Sequence, residues 1–331
     1  MAEIKTENKV LSDNPNELKF DVLKIDSTLK KGEIYTDGKN IFEFCSEFDP
    51  NQGEQDIKID IPKYMAKIKT NSFEYCGILS KNLKKENYGY NQFENKDEYF
   101  GQWNKDKKEG YGIYYFNEKE NTNLIKQIYI GEFKNNVKSG EGIYFNVEKF
   151  DKEKNSLPVD FTLIIGNFSE DNFIKGTILT LEDGKRKIYK GKMSKDGKKN
   201  DENAEIYEDD DKIFYGIVKD NAMLEGRIII MRDGKKETSY YFNRKGNTNI
   251  DSDIDFDYEK GDSGDDKYIR KLNELNNIFE YSRIQDLFKS VMDIRKNSNN
   301  SEENFKYIKN LNYDVEVKQE LKNQYGRYLY C

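Results

Sequence analysis

Tyr99-Phe100-Gly101-Gln102-Trp103, then, past a short polar turn, Glu109-Gly110-Tyr111-Gly112-Ile113-Tyr114-Tyr115-Phe116: this is the stretch on which the fold turns. It returns as Tyr129-Ile130-Gly131-Glu132-Phe133 followed by Ser139-Gly140-Glu141-Gly142-Ile143-Tyr144-Phe145. In both copies nine residues separate the lead glycine from the first glycine of the closing pair. Each copy reads as two short strands about a turn. Side chains alternate across a strand, so Tyr99, Gly101 and Trp103 share one face, and Gly110, Gly112, Tyr114 and Phe116 share one on the return. Each glycine leaves room for a ring from a neighbouring strand to lie flat. Strands rich in glycine are weak alone, so the hairpins are expected to stabilise one another by stacking.

Weaker copies flank these two. Upstream stands Tyr75-Cys76-Gly77-Ile78-Leu79 with Asn87-Tyr88-Gly89-Tyr90. Downstream come Ile164–Phe168 with Lys175–Leu179, Tyr189–Met193 with a degenerate return near Ala204–Tyr207, and Phe214–Val218 with Glu225–Ile230. The lead glycines, 77, 101, 131, 166, 191 and 216, are 24 to 35 residues apart, a period that marks a stacked array with loop insertions. Repeats four to six lack the closing Gly-x-Gly pair, which argues against their contributing groove contacts.

Composition narrows the function. Of 331 residues, 35% are hydrophobic and 35% charged, too polar for one large core, yet aromatics reach 14%, too many for a disordered chain. A thin-cored array satisfies both. The net charge of −7 opposes nucleic-acid binding, which needs a basic footprint. With no histidine, Ser–His and Cys–His catalysis and histidine metal sites are excluded. Three scattered cysteines, Cys45, Cys76 and Cys331, fit neither a disulfide framework nor a zinc pattern, so an intracellular setting is expected. No Gly-x4-Gly-Lys-Ser/Thr phosphate loop occurs. Catalytic residues, metals and cofactors are therefore not expected. Asp251-x-Asp253-x-Asp255-x-Asp257 has calcium-loop spacing, but Phe256 stands where the loop needs glycine, and an acidic linker is the plainer reading.

Outside the array, residues 1–74 read as an N-terminal segment, disordered over roughly the first fifteen residues. Leu18–Ile25 alternates, and a hairpin about Asp37-Gly38 is placed to cap the sheet. Residues 75–242 form the repeat sheet, 243–266 an acidic linker and 267–331 a helical region. There Ile269, Leu272, Leu275 and Phe279 make one stripe, and Ile284, Leu287, Phe288, Val291 and Met292 a second behind a Ser282–Gln285 capping box. Segments at Phe305–Leu311 and Val317–Tyr325 are expected to be helical too. The stripes either cap the sheet or dock to a partner.

The pattern Tyr-x-Gly-x-(Trp/Phe)…Gly-x-Gly-x-x-x-Phe resembles the MORN (membrane occupation and recognition nexus) repeat. The resemblance implies a mainly β fold, an elongated single-layer antiparallel meander with the small helical region appended. It also implies a non-enzymatic scaffold or adaptor in a large assembly: a cilium or flagellum, at an axonemal radial spoke, or the cortical cytoskeleton. Its partners would be proteins presenting a helix or extended peptide, with self-association possible in principle and nucleic acid not expected. The candidate groove is Tyr99, Gly101, Trp103, Gly112, Tyr114, Tyr129, Gly131, Phe133, Gly142 and Tyr144. The same face could instead be filled by packing within the sheet. The alternative is a peripheral module for acidic phospholipids, opposed by the net charge; Lys84-Lys85 and Lys105–Lys108 read as small basic patches at turns.

Overall fold

The computed structural model describes residues 4–6, 34–36, 41–48, 63–80, 82–117, 125–151, 157–209, 211–244, 254–257 and 265–299. They belong to two compact units, Met1–Val137 with Met292–Cys331, and Lys138–Val291. The first contains β1 (Ile4–Thr6), β2 (Ile34–Thr36), β3 (Ile41–Phe48), β4 (Lys63–Lys69), β5 (Phe73–Ser80), β6 (Lys85–Phe93), β7 (Glu98–Asn104), β8 (Lys107–Phe116) and β9 (Gln127–Lys134). The second contains β10 (Val137–Asp151), β11 (Leu157–Ser169), β12 (Asn172–Glu182), β13 (Lys185–Lys192) and β14 (Asp201–Glu208). It continues with β15 (Lys212–Lys219), β16 (Ala222–Arg232), β17 (Lys235–Arg244), β18 (Ile254–Asp257) and helix α1 (Asp265–Ile278). Helix α2 (Tyr281–Asn299) follows, its residues through Val291 in the second unit and the rest in the first.

Fourteen strands, β4–β17, make the antiparallel meander, and the fold is mainly β with two helices, as the sequence implies. In the first unit β2 and β3 pair as the hairpin expected about Asp37-Gly38, β3 pairs with β4 and β4 with β5. The ladder thus begins well ahead of residue 75. Ile4–Thr6 pairs in parallel with β2. The alternation at Leu18–Ile25, the helical segments after residue 300 and most of the acidic stretch lie outside the described residues.

Four hairpins turn on two consecutive non-glycine residues with positive φ: Lys105-Asp106, Asn135-Asn136, Glu170-Asp171 and Asp220-Asn221. That is the two-residue turn whose twist matches the flanking strands. The second residue is Asp or Asn for a reason visible one hairpin back. Asp106 receives the Lys85 N–H on its carboxylate (2.8 Å) and gives its own N–H to the Lys85 carbonyl (3.1 Å). Asn136 clasps Lys108 in the same way, at 2.8 and 3.0 Å. In the second unit Asp171 clasps Lys138 and Asn221 clasps Lys199. Glycine relieves the backbone strain of such a turn but has no side chain to clasp with; it stands at 184 and 234 instead.

The helical stripes lie on the sheet. Leu272 and Leu275 of α1, Phe279 just past its end, and Ile284, Leu287, Phe288 and Val291 of α2 are buried. Phe288 meets Phe145 and Phe150 at 5.4 and 5.9 Å, and the Tyr281 hydroxyl donates to the Pro158 carbonyl (2.8 Å). Asp265, fully buried at the start of α1, pairs with Arg227 (3.0 Å) and Lys236, and accepts from Tyr215 (3.1 Å). Burial works to raise the Asp265 carboxyl, but the hydrogen bond from Lys236 and the charge of Arg227 outweigh it and hold it below the usual range. In the first unit Arg295 of α2 grips Glu98 through two bonds, 2.7 and 3.0 Å. One expectation is corrected: α2 opens on Glu280, whose carbonyl accepts from Arg283 and Ile284, so Ser282 lies inside the helix and no capping box forms.

Candidate functional site

Within each unit the glycines fall in register. In the first unit the register runs Ala66, Gly77, Gly89, Gly101, Gly112, Gly131, each opposite the next. In the second it runs Gly142, Gly166, Gly176, Gly191, and then Ala204, Gly216, Gly226, Phe242. The glycine that joins the row is therefore the second of each closing pair. The first, Gly110 or Gly140, has φ +79° or +62°; at Gly110 it sits where the ladder shifts register by two residues, a bulge that needs a left-handed glycine. Losing that first glycine in repeats four to six leaves Gly166↔Gly176 and Gly216↔Gly226 in register.

The ring over the Gly77–Gly89 and Gly101–Gly112 pairs is the tyrosine two residues before the first glycine, and it lies across onto the second, on the neighbouring strand. A Cβ on Gly112 would stand 2.5–2.6 Å from the Tyr99 ring, and one on Gly89 2.4–2.6 Å from that of Tyr75. The ring is anchored at its far end. Tyr75 donates to the Ile78 carbonyl (2.7 Å), Tyr99 to Gln102 (2.9 Å), Tyr129 to Glu132 (3.1 Å) and, in the second unit, Tyr189 to Lys192 (2.6 Å). Each hydroxyl reaches the carbonyl three residues on, so Tyr-x-Gly-x is a closed local device. Burial raises the Tyr75 and Tyr99 phenols well above their ordinary value.

Between the tyrosines stand Trp103 and Phe133. Trp103 meets Tyr75 and Tyr99 edge to face at 5.9 and 5.0 Å, and Phe133 meets Tyr99 and Tyr129 likewise at 5.1 and 5.2 Å. Each such contact adds roughly 0.5–1.5 kcal/mol beyond area burial. The Trp103 indole donates to the Gly89 carbonyl (3.0 Å). Tyr99, Trp103, Tyr129 and Phe133 are all at least 95% buried by these neighbours. Four of the candidate residues thus form a floor with no partner in place, and Gly101, Gly112 and Gly131 line its seam. Tyr114 is half-buried above it, 5.9 Å from Phe93, with its hydroxyl on Asp97 (2.8 Å). Gly142 and Tyr144 belong to the second unit.

Two lysines, read from sequence as turn patches, lie over this floor. The Lys85 ammonium sits 4.0 Å from the Phe73 ring centre, 4.8 Å from Trp103 and 5.1 Å from Tyr75, and bonds Asn91 (2.5 Å). Lys108 sits 4.3 Å from Tyr114, 5.3 Å from Phe133 and 5.6 Å from Phe93. Burial drives Lys85 down to about 7, with the Asp106 carboxylate opposing. Of these rings Phe73, Phe93 and Trp103, with Lys85 and Lys108, line a recess of ≈ 440 Å³ whose lining also includes Lys84, Lys105, Lys107 and a single carboxylate, Asp106. A sequence signal for them exists: Lys85, Lys108 and Lys138 each precede their row glycine (Gly89, Gly112, Gly142) by four residues.

The second unit keeps the row and changes its filling. Tyr189, Ala204, Ile206, Phe214, Val218 and Ile228 form a buried cluster, with Met193, Met223, Ile230 and Phe242 packed against it. Lys138 lies 5.4 Å from Tyr144 and Lys199 5.0 Å from Tyr189, and burial lowers both lysines. Among the described residues no cluster of acidic or cysteine side chains is placed to hold a metal, and no helix is long and apolar enough to cross a membrane.

Compared with known families, residues 99–118 and 129–146 match the model of the MORN repeat. A search of curated proteins returns no match to the chain.

Proposed function

We propose, on the premise that the chain carries MORN repeats, that it is a non-enzymatic scaffold holding partner proteins within a large assembly. MORN repeats are consistent with a protein-interaction or membrane-associated module, and the family is generally non-enzymatic. The observation that carries the protein-interaction reading is the recess of the first unit, where half-buried rings and lysine stems border a preformed aromatic floor. Such a surface accepts apolar side chains in a fixed register at little ordering cost. An axonemal radial spoke or the cell cortex is the setting in which this work is proposed.

Proximity labelling and affinity purification of the tagged full chain from its own cells, read by mass spectrometry, test the reading. Axonemal or cortical cytoskeletal proteins should dominate. Enrichment of membrane enzymes, together with flotation of the purified chain on anionic liposomes, would replace it with the membrane-associated alternative.

A further inference from the structure

We propose that the first unit's recess binds an acidic, amphipathic peptide segment of a partner protein, with Lys85 and Lys108 holding its carboxylates. This deepens the interaction reading above and rests on it. The chain as a whole carries a net charge of −7, yet here five lysines face one carboxylate, Asp106. The sign of the surface is reversed at the one place where rings form a floor.

The two central ammoniums are already taken partly out of water by those rings. A desolvated cation gains more from an incoming carboxylate than a solvated one does, because less hydration remains to be lost. Their backbones are pinned by the Asp106 and Asn136 clasps, so their positions are set before a ligand arrives. The recess, ≈ 440 Å³, suits a few side chains of a peptide. Its floor of Phe73, Phe93 and Trp103 asks for apolar groups between the acids, which a bare phosphate lacks. An anionic membrane rewards cations spread over an outer surface, and Lys85 is instead sunk among rings.

Trp103, the only tryptophan of the chain, makes the recess its own reporter. The probes are labelled peptides in which Glu alternates with Leu and Phe, the same peptides with Gln for Glu, and phosphatidylserine vesicles. With the full chain, the Glu peptides should bind and shift Trp103 emission, and the Gln peptides should bind about tenfold more weakly or worse. Lys85→Met with Lys108→Met should lose affinity about tenfold while free-protein emission remains that of a buried ring. If that pair fails to fold, Lys105→Gln with Lys107→Gln, both at exposed turn positions, should still weaken binding severalfold. Equal binding of Gln peptides, undiminished affinity in either variant pair, or an emission shift with vesicles alone would overturn the proposal. Cytoskeletal partners that copurify undiminished with the Lys85/Lys108 variant would leave the scaffold reading standing and remove this one.

Discussion

The glycine faces of the two units share a backbone and differ in what fills it. In the first, Tyr75, Tyr99 and Tyr129 alternate with Trp103 and Phe133, and lysines lie across the rings. In the second, the positions corresponding to the tyrosines hold Ile164, Tyr189 and Phe214, and those corresponding to Trp103 and Phe133 hold Phe168, Met193 and Val218. With fewer rings in the row, Lys138 and Lys199 still rest on Tyr144 and Tyr189, while Met193, Val218 and Ile228 help to close the face into an apolar cluster. What repeats is the row of absent side chains. What fills it is a local choice.

The faces opposite the glycines are where the units agree, since each anchors a helix through a buried charge. The largest effect is expected there: Asp265→Ala leaves Arg227 buried beside an empty partner position and should cost about 4 kcal/mol by chemical denaturation. A loss under about 1 kcal/mol would mean the pair is solvated. Next, Gly112→Ala forces a methyl into the Tyr99 ring and should cost about 3 kcal/mol. Gly234→Ala meets nothing within 4 Å and should show only the positive-φ cost, about 1 kcal/mol.

Burial of Lys85 gives the first unit a pH signature of its own. The folded Lys85 titrates near 7, and an unfolded lysine near 10.4. Between those values the unfolded chain holds the extra proton, so Lys85 makes stability rise with pH across that window. Below pH 7 both states are charged and the slope vanishes. The charged and polar groups facing Lys85 are Asp106 and Asn91, and the contrast between wild type and Lys85→Met, read as thermal midpoints from pH 6 to 10, isolates its share. A flat difference would refute the burial.

Smaller effects test the tyrosine device. Tyr99→Phe removes the bond to Gln102 and should cost about 1 kcal/mol, whereas Phe214→Tyr, which writes the same device into the second unit, should gain about 0.5 kcal/mol. Smallest is Asn136→Gly: loss of the clasp and relief of the left-handed turn each amount to about 1 kcal/mol and should nearly cancel. A loss above about 1 kcal/mol would show that the clasp dominates.

Much of the fold was legible because it is written in local patterns. Alternation about Gly101 and Gly131 gave the strands, Asp37-Gly38 gave the early hairpin, and the stripes through Leu272 and Leu287 gave both helices. What was missed depends on contacts between strands. Trp103 is one strand away from Lys85 and is its ring partner only through the register of β6 against β7. The ring over Gly112 comes from the neighbouring strand, as the pattern implies, but the hydroxyl bond that pins Tyr99 to the Gln102 carbonyl is a distance that no periodicity encodes. The degenerate return near residue 204 is intelligible only in register, where Ala204 takes a glycine's place.

The clasps have one more consequence. Because Asp106 holds Lys85 and Asn136 holds Lys108 at the tips of successive hairpins, alignment of neighbouring repeats is fixed at that margin of the ladder. At the opposite margin Asp97 takes the Asn117 N–H (2.8 Å), so that side is tied as well, and the connection between β8 and β9 lengthens beyond the tie without disturbing a single glycine pairing across it. A chain built this way is bound along both selvedges and takes in new sequence only past the knots.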